Sequence, residues 1–306
     1  MAELDDFEEP GIPPALLVDA RNLMYRAIFA NKKGQNQGQS QNLHHFTVML
    51  RFMTSWIERF KPSSVNVFWD ARRDTLWRRK VYPGYKLRDE SKYSVDIKDD
   101  LIYTQAAAKD IFRFLGVRQF DKKCMEADDL IYAACKVLAP APVVVCSSDS
   151  DYQQVSFRMQ HVKCFDPMEQ KFSEAVDYDP AIAKALAGCK TDVVPGYTGI
   201  GPVHSVRLAR CLNDRLEFLR AERPIYKARQ SDESGPSIFI RNLLLVDLSL
   251  CPDLLKNQLY VQHILGYKPV FDKSQAMELA HHHKVNGLMT EFDRSAGRFK
   301  YLVESP

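Results

Sequence analysis

Three short apolar runs, separated by longer segments of helical character, constrain the fold of this chain most. Ala15–Asp19 (ALLVD), Val65–Asp70 (VNVFWD) and Val143–Cys146 (VVVC) have the length and the apolar content of buried strands. Between them lie segments with helical periodicity, such as residues 43–60 and 98–115. Strands that alternate with helices predict an α/β protein with a mostly parallel central sheet and helices on both faces.

Composition along the chain predicts three regions. Residues 1–14 carry five acidic residues and no basic one, and they end in Pro-Gly-Ile-Pro-Pro, so we expect a disordered acidic tail. Residues 15–180 carry the strand–helix alternation and form the first domain. From residue 181 to 306 the strand signals largely disappear, and glycine, proline and helical segments predict a helical C-terminal region.

The overall composition is that of a globular protein. Hydrophobic residues make up 45% of the chain and charged residues 26%, which excludes disorder of the whole chain. No apolar run approaches the ~18 residues that span a bilayer, and the N-terminus lacks a signal peptide. The seven cysteines include no C-x-x-C pair, which favours free thiols. We therefore expect a soluble cytoplasmic monomer without membrane contacts.

A concentrated basic segment lies at residues 72–98. It holds nine basic and four acidic residues, a local charge of +5, whereas the whole chain carries only +3. A patch of this kind is typical of proteins that bind a polyanion. On charge alone, a solvated surface helix is the alternative.

Each of the three apolar runs leads to aspartate. Asp19 and Asp70 end the first two runs, and Asp149 and Asp151 follow the third. Because ligands bind at the carboxyl ends of parallel strands, we expect these side chains to converge at one edge. Three more acids begin a predicted helix, where they also have the simple role of complementing the helix dipole. These acids are Glu126, Asp128 and Asp129.

Such a cluster of carboxylates is unstable without cations. Two negative charges ~5 Å apart repel by ~3 kcal/mol at an effective dielectric constant of ~20. Several such pairs exceed the ~5–15 kcal/mol by which a typical domain is stable. Oxygen ligands without paired histidine or cysteine select Mg²⁺ or Mn²⁺. Two such ions ~4 Å apart form a clamp for phosphodiester hydrolysis.

A glycine-rich turn forms the third chemical element. Gly196–Pro202 precedes a segment with helical spacing, and Pro202 suits the first position of that helix. The Gly-Ile-Gly sequence allows close approach of another chain, and the N–H groups of such a turn suit a DNA phosphate. A tight structural turn is the equally open alternative.

Taken in order, these segments resemble the 5′-nuclease family, which includes flap endonucleases, the 5′-nuclease domains of bacterial DNA polymerase I and phage 5′-to-3′ exonucleases. The resemblance covers about residues 15–210. The segments that carry it are LLVDARNLMYRA, VFWDARR, YPGYKLRDESK, MEADDLIYAA, CSSDSDYQQV and GCKTDVVPGYTGIGP. Residues 77–79 and 242–253 look most like the ribonuclease H of T-even phages.

The resemblance implies a metal-dependent phosphodiesterase that acts at 5′ ends and flaps of DNA, or on RNA primers paired with DNA, during replication. Two Mg²⁺ ions, replaceable by Mn²⁺, would be held by acids at one edge of the sheet, and K⁺ is implied at the glycine turn. A single-strand-binding protein or a polymerase clamp is a further implied partner. If a phage encodes the chain, its location is the host cytoplasm. The implied metal ligands are Asp19, Asp70, Glu126, Asp128, Asp129, Asp149, Asp151 and Asp192.

The basic segment corresponds to the arch under which the 5′ strand passes in this family. Lys86 and Arg79 would contact the scissile phosphate, and Tyr85 would stack on a terminal base, although simple packing remains open for Tyr85. The glycine turn corresponds to a helix–turn–helix motif that grips duplex DNA. The implied DNA-binding residues are Arg72, Arg73, Arg78, Lys80, Arg88, Gly199, Ile200, Gly201 and Val203.

One position departs from the family pattern. The family has Gly-Asp-x-x-Asp where this chain has Gly188-Cys189-Lys190-Thr191-Asp192. Because a thiol is a poor Mg²⁺ ligand, we expect activity with a raised Mg²⁺ requirement. Two other functions stay open: a DNA-junction binding protein with weakened catalysis, and a single-strand ribonuclease of the related PIN-like group, against which the chain length argues.

Overall fold

The central sheet has six strands, five of which run parallel. The computed structural model describes residues 12–32, 42–87, 95–211, 238–285 and 298–303. The strands are β1 (Ala15–Asp19), β2 (Ser64–Trp69), β3 (Val117–Asp121), β4 (Val143–Cys146), β5 (Val162–Asp166) and β6 (Lys171–Phe172). Their order is β3-β2-β1-β4-β5-β6, and β6 alone pairs antiparallel. The mostly parallel sheet that the alternation predicts is confirmed.

Helices cover both faces of this sheet. Their bounds are Ala20–Lys32, Asn42–Phe60, Arg78–Val81, Val95–Phe112, Ala127–Leu138, Gln153–Arg158, Pro180–Ala187, Pro202–Cys211, Ile238–Val246, Leu254–Leu265 and Lys273–His282. Alternate side chains of β1 point to opposite faces, as the two-residue period of a strand requires. Leu16 and Val18 pack with Phe46 and Phe112 on one face, and Leu17 packs with Leu130 on the other.

A third apolar cluster joins the basic segment to the C-terminal region. Leu76 and Tyr85 pack against Ile182, Leu186 and Phe239 in this cluster. The start of the basic segment therefore packs against helices of the C-terminal region.

The C-terminal region is not wholly helical. A two-stranded antiparallel hairpin, β7 (Gly188–Cys189) and β8 (Val194–Pro195), lies between the helices Pro180–Ala187 and Pro202–Cys211. Such strands are too short to leave a periodic pattern in the sequence. The helix after the glycine turn begins at Pro202, as predicted.

Several predictions fall wholly or partly outside the described residues. They concern residues 1–11 of the acidic tail, Arg88 and the middle of the predicted arch. Among the helices that the structure describes, none combines the length and the apolar character needed to cross a bilayer.

Candidate metal centre and nucleic-acid surface

Seven carboxylates line one cavity at the carboxyl edge of the sheet. Because β1 lies between β2 and β4 in parallel register, the residues after these strands meet there. The cavity has a volume of about 490 Å³. Its acids are Asp19, Asp70, Glu126, Asp128, Asp149, Asp151 and Asp192. The sequence predicted all seven as metal ligands, and it also included Asp129, which does not line the cavity.

Asp19 is held in place by its neighbours. Its Oδ1 accepts a hydrogen bond from the backbone N–H of Asn22 (3.0 Å), and its Oδ2 accepts from the hydroxyls of Tyr152 (3.3 Å) and Ser147 (3.4 Å). Burial, with the added negative charges of Asp70 and Asp149, raises the pKa of Asp19 to about 6. The site therefore holds negative charge that it does not neutralise well.

Asp70 and Asp128 face the same space. Oδ1 of Asp70 accepts from the backbone N–H of Ala127 (2.9 Å), which ties the end of β2 to the start of the helix Ala127–Leu138. Burial and the nearby charge of Glu126 raise the pKa of Asp128 well above its ordinary value. In the part of the chain that the structure describes, no basic side chain forms an ion pair with Asp19 or Asp128.

Asp129 lies behind the cavity and binds Arg78. Both oxygens of Asp129 accept from the Arg78 guanidinium (2.8 and 2.9 Å), and Oδ2 also accepts from Nε1 of Trp77 (3.0 Å). One ligand atom each from Glu126, Asp128 and Asp129 lies within 4.8 Å of the others, which is compact enough for an ion. Arg78 nevertheless occupies the oxygens of Asp129, so the structure gives this residue a positioning role instead.

Three predicted nucleic-acid contacts have buried side chains: Arg78 and Tyr85 are wrong as side-chain contacts, whereas for Ile200 a contact through its backbone stays a prediction. Arg78 is 1% exposed and pairs with both Glu126 and Asp129. Tyr85 is 2% exposed, and its hydroxyl donates to Oε2 of Glu126 (3.0 Å), so its ring offers no face to a base. The side chain of Ile200 packs in the third apolar cluster. The charge of the basic segment indicated a surface position for Arg78, whereas the family resemblance implied the contacts of Tyr85 and Ile200.

Lys86 and Glu126 form an ion pair at the cavity wall. Nζ of Lys86 pairs with Oε1 of Glu126 and lies 3.7 Å from Oδ1 of Asp192. Burial alone would raise the pKa of Glu126, but Lys86 and Arg78 outweigh it and lower that pKa to about 2. Burial likewise opposes the charge of Lys86, yet Glu126, together with Tyr85 and Asp192, outweighs burial and raises the lysine pKa well above its ordinary value. Lys86 is thus charged and aimed into the cavity.

The far side of the cavity contains a second lysine and the cysteine. Nζ of Lys184 pairs with Oδ1 of Asp151 and lies 3.6 Å from Oδ2 of Asp192. Sγ of Cys189 donates to Oδ2 of Asp192 (3.2 Å). Burial raises the pKa of the Cys189 thiol, so the thiol is neutral. Burial also raises the pKa of Asp151, an effect that Lys184 partly offsets.

A basic cavity adjoins the acidic one. It has a volume of about 460 Å³ and shares Arg21, Tyr25, Arg73 and Lys86 with the acidic cavity. The other basic residues that line it are Arg72, Arg79 and Lys98. Arg72 is exposed and pairs with Asp74, and Lys80 is exposed as well.

Sequence reasoning missed Arg21 and Tyr25. Both lie on the helix Ala20–Lys32 that follows Asp19 directly, and the guanidinium carbon of Arg21 lies 5.5 Å from the centre of the Tyr25 ring. Nη1 of Arg21 is 3.5 Å from Oδ2 of Asp70. Their four-residue spacing, immediately after an aspartate at a strand end, was the signal that could have found them.

The glycine turn is exposed on one side and packed on the other. Gly199 has a φ of +80° and is exposed, and Val203 is 73% exposed. A Cβ atom on Gly201 would meet nothing within 4 Å. A Cβ on Gly196 would lie 2.1 Å from the carbonyl oxygen of Ala187, so glycine is required there for packing.

Comparison with known proteins gives one family. Residues 14–185 match the family model of the 5′-3′ exonuclease N-terminal resolvase-like domain. A 5′-3′ exonuclease of Mycoplasma genitalium is 24% identical over 302 residues, which is 92% of this chain and 99% of that protein. DNA polymerase I of Lactococcus lactis is 28% identical over 212 residues, or 63% of this chain. The chain covers 23% of that polymerase, about a quarter of its length.

Flap endonucleases and a phage structure are also similar. Flap endonuclease Xni of Shewanella sediminis is 27% identical over 209 residues, which is 64% of this chain and 75% of that protein. Among solved structures, the bacteriophage T5 D15 flap endonuclease, in a complex with DNA and metal ions, has a TM-score of 0.64. That match has 18% identity and covers 88% of this chain and 99% of the phage chain, a likeness of fold.

Proposed function

Because the chain belongs to the 5′-3′ exonuclease family and is a nuclease, we propose that it is a Mg²⁺-dependent, structure-selective 5′-nuclease. It hydrolyses phosphodiester bonds of DNA, or of RNA primers on DNA, at 5′ ends and flaps. The observation that carries this proposal is the cavity at the carboxyl edge of the sheet, where Asp19 and Asp128 line the same space as Asp70 and pair with no basic residue that the structure describes. A divalent cation supplies the charge that this arrangement lacks.

The residues on the β1 and β2 side fit such an ion. Asp19, Asp70 and Asp128 offer oxygen atoms only, and the pKa values of Asp19 and Asp128 are raised by burial and, in addition, by neighbouring negative charge that a cation would neutralise. A bound Mg²⁺ or Mn²⁺ would neutralise charge on the phosphate and activate a water molecule. A K⁺ ion at the glycine turn stays a prediction from the resemblance.

Lys86 is the residue that we assign to the scissile phosphate. Its ammonium is charged, lies at the rim between the two cavities and is 24% exposed at the side chain. A phosphate that enters the acidic cavity competes with Glu126 for this ammonium. Because a fixed charge is worth most where negative charge develops, Lys86 then favours the transition state over the bound substrate.

The basic cavity offers a path for the single-stranded part of the substrate. Arg73, Arg79 and Lys98 supply charge to the phosphates, and the ring of Tyr25, which lies between Arg21 and Phe29, borders the cavity close to the acids. Aromatic stacking contributes about 1–3 kcal/mol per base. We therefore transfer the predicted stacking role from Tyr85 to Tyr25.

The glycine turn is the surface that we assign to the duplex. Exposed backbone at Gly199 and Gly201, followed by the first turn of the helix Pro202–Cys211, suits a phosphate of the duplex backbone. The exposed Val203 lies beside it and provides an apolar contact.

A labelled duplex with a 5′ flap tests the proposal. We expect cleavage with Mg²⁺ and none with EDTA. Asp70→Asn should abolish cleavage, because it removes a charge of the metal site. Asp166→Asn is the matched control. Asp166 ends strand β5, which pairs with β4, but it does not line the cavity, so this variant should cleave the substrate at the rate of the unmodified protein. Binding of the flap without cleavage under any divalent ion would instead support the junction-binding alternative.

A further inference from the structure

The side of the acidic cavity around Asp151 already contains a cation. Nζ of Lys184 pairs with Asp151 and lies 3.6 Å from Oδ2 of Asp192, so it bridges two carboxylates that come from different parts of the chain. The lysine side chain is 20% exposed. Its backbone belongs to the helix Pro180–Ala187, which packs in the third apolar cluster and fixes its position.

Cys189 reduces the negative charge on the same side. Its Sγ lies 3.2 Å from Oδ2 of Asp192 and 2.9 Å from Oγ1 of Thr191, at a position from which a carboxylate would reach the same space. A neutral thiol adds no charge and is a poor ligand for Mg²⁺ or Mn²⁺. Compared with a carboxylate, it removes one negative charge. A lysine ammonium carries one positive charge fewer than a divalent cation, so the loss of one negative charge compensates for the difference.

On the opposite side of the cavity, no basic side chain of the described residues bridges two of the acids Asp19, Asp70 and Asp128. Arg21 reaches Asp70 at 3.5 Å, but Asp19 and Asp128 form no ion pair with any residue that the structure describes. Nζ of Lys86 pairs with Glu126, and the other carboxylate near it is Asp192, whose Oδ1 lies 3.7 Å away. The two sides of one acidic cavity therefore differ in how their charge is balanced.

We infer that the ammonium of Lys184 takes the place of a second divalent ion in this chain. One divalent ion binds at Asp19, Asp70 and Asp128, and Lys184 provides the positive charge between Asp151 and Asp192. This inference rests on the proposed metal site. It goes further by assigning a residue of the chain to a position where a two-metal nuclease uses a second ion.

Counting bound Mn²⁺ tests the inference without any nucleic acid. Isothermal titration calorimetry, checked by electron paramagnetic resonance of free Mn²⁺, gives the number of ions per chain. We expect one ion for the unmodified protein, with any second ion bound much more weakly. Two ions of similar affinity would overturn the inference, and this measurement needs no variant to fold.

Variants separate Lys184 from Cys189. Cys189→Asp alone should still bind one ion tightly, because Lys184 remains. The double variant Cys189→Asp/Lys184→Met should bind two. The matched control is Cys189→Asp/Lys190→Met, which removes an exposed charge from the same loop and should bind one. A second ion in Cys189→Asp alone, or in the control, would show that Lys184 is not the substitute.

The metal count and the cleavage assay can refute the role of Lys184 and the proposed function separately. A chain that binds one Mn²⁺ but cleaves no substrate refutes the proposed function and leaves the role of Lys184 intact. A chain that cleaves flaps while binding two ions of similar affinity refutes the role of Lys184 and leaves the function intact.

Discussion

Replacing Arg78 with methionine tests whether this residue supports the site from behind or contacts nucleic acid. In the structure its guanidinium donates to Glu126 (2.7 Å), twice to Asp129 and, through Nε, to the carbonyl oxygen of Leu245 (2.8 Å). The side chain is fully enclosed, with Trp77 packed against the guanidinium at 4.7 Å. The variant leaves two buried carboxylates without their shared partner.

The magnitude follows from which contacts survive. Glu126 keeps Lys86 and Tyr85, whereas Asp129 keeps only the N–H groups of Trp77 and of the Glu126 backbone and loses its cation. Removing one partner of a buried ion pair costs about 3–5 kcal/mol. Because one of the two acids retains a lysine, we expect the free energy of unfolding to fall by about 3–4 kcal/mol, a large part of the ~5–15 kcal/mol of a typical domain.

Urea denaturation of the metal-free protein, with linear extrapolation to zero denaturant, measures this loss. Arg79→Met is the control, since Arg79 lies next along the chain but is only half-buried beside the basic cavity. The control should lose at most about 1 kcal/mol of stability, while its salt dependence of DNA binding falls by about one unit of log-log slope. A loss below about 1 kcal/mol in Arg78→Met, or a reduced salt slope in that variant, would refute the supporting role.

Three further predictions concern the site and its surroundings. Lys86→Ala should lower the single-turnover cleavage rate by about 10²–10³-fold, with a smaller loss of flap affinity. A loss of flap affinity with an unchanged cleavage rate would exclude a catalytic role for Lys86. Because Asp19 must lose a proton to bind a cation and its pKa is raised to about 6, the Mn²⁺ affinity should rise as the pH increases through about 6. In Asp19→Asn this rise should be smaller but still present, because the pKa of Asp128 is raised as well; the same pH dependence of the affinity in both proteins would refute the role of Asp19. Gly201→Ala should leave the melting temperature unchanged and weaken duplex binding, whereas Gly196→Ala should cost more than about 2 kcal/mol of stability; an unchanged duplex affinity in Gly201→Ala would remove the turn from the DNA surface.

The sheet edge was predictable because strand ends are local features of the sequence. Val65–Trp69 is mostly apolar and Val143–Cys146 is entirely apolar, and the parallel order brings the acids that follow them together without any knowledge of packing. Four of the seven acids of the cavity, Asp19, Asp70, Asp149 and Asp151, were found in this way, whereas Asp192 was implied only by the family resemblance. Which of these acids form ion pairs could not be predicted. Several of the pairs join residues 30 to 50 positions apart, as in Lys184 with Asp151.

The basic segment shows where sequence reasoning ends. Arg78 and Arg79 are adjacent and chemically identical, yet one is buried behind the acids and the other borders the basic cavity. The difference arises because the short helix Arg78–Val81 lies against the C-terminal helix Ile238–Val246, a long-range contact with no local signal. Tyr85 is buried for the same reason, since the third apolar cluster includes C-terminal residues.

Anomalous diffraction from a crystal soaked in Mn²⁺ tests most directly whether the carboxylates at this edge hold divalent ions. We predict a strong peak among the oxygens of Asp19, Asp70 and Asp128, with Lys184 still between Asp151 and Asp192. Absence of a peak among Asp19, Asp70 and Asp128, with the cavity accessible and Mn²⁺ in excess, would contradict the metal-dependent mechanism.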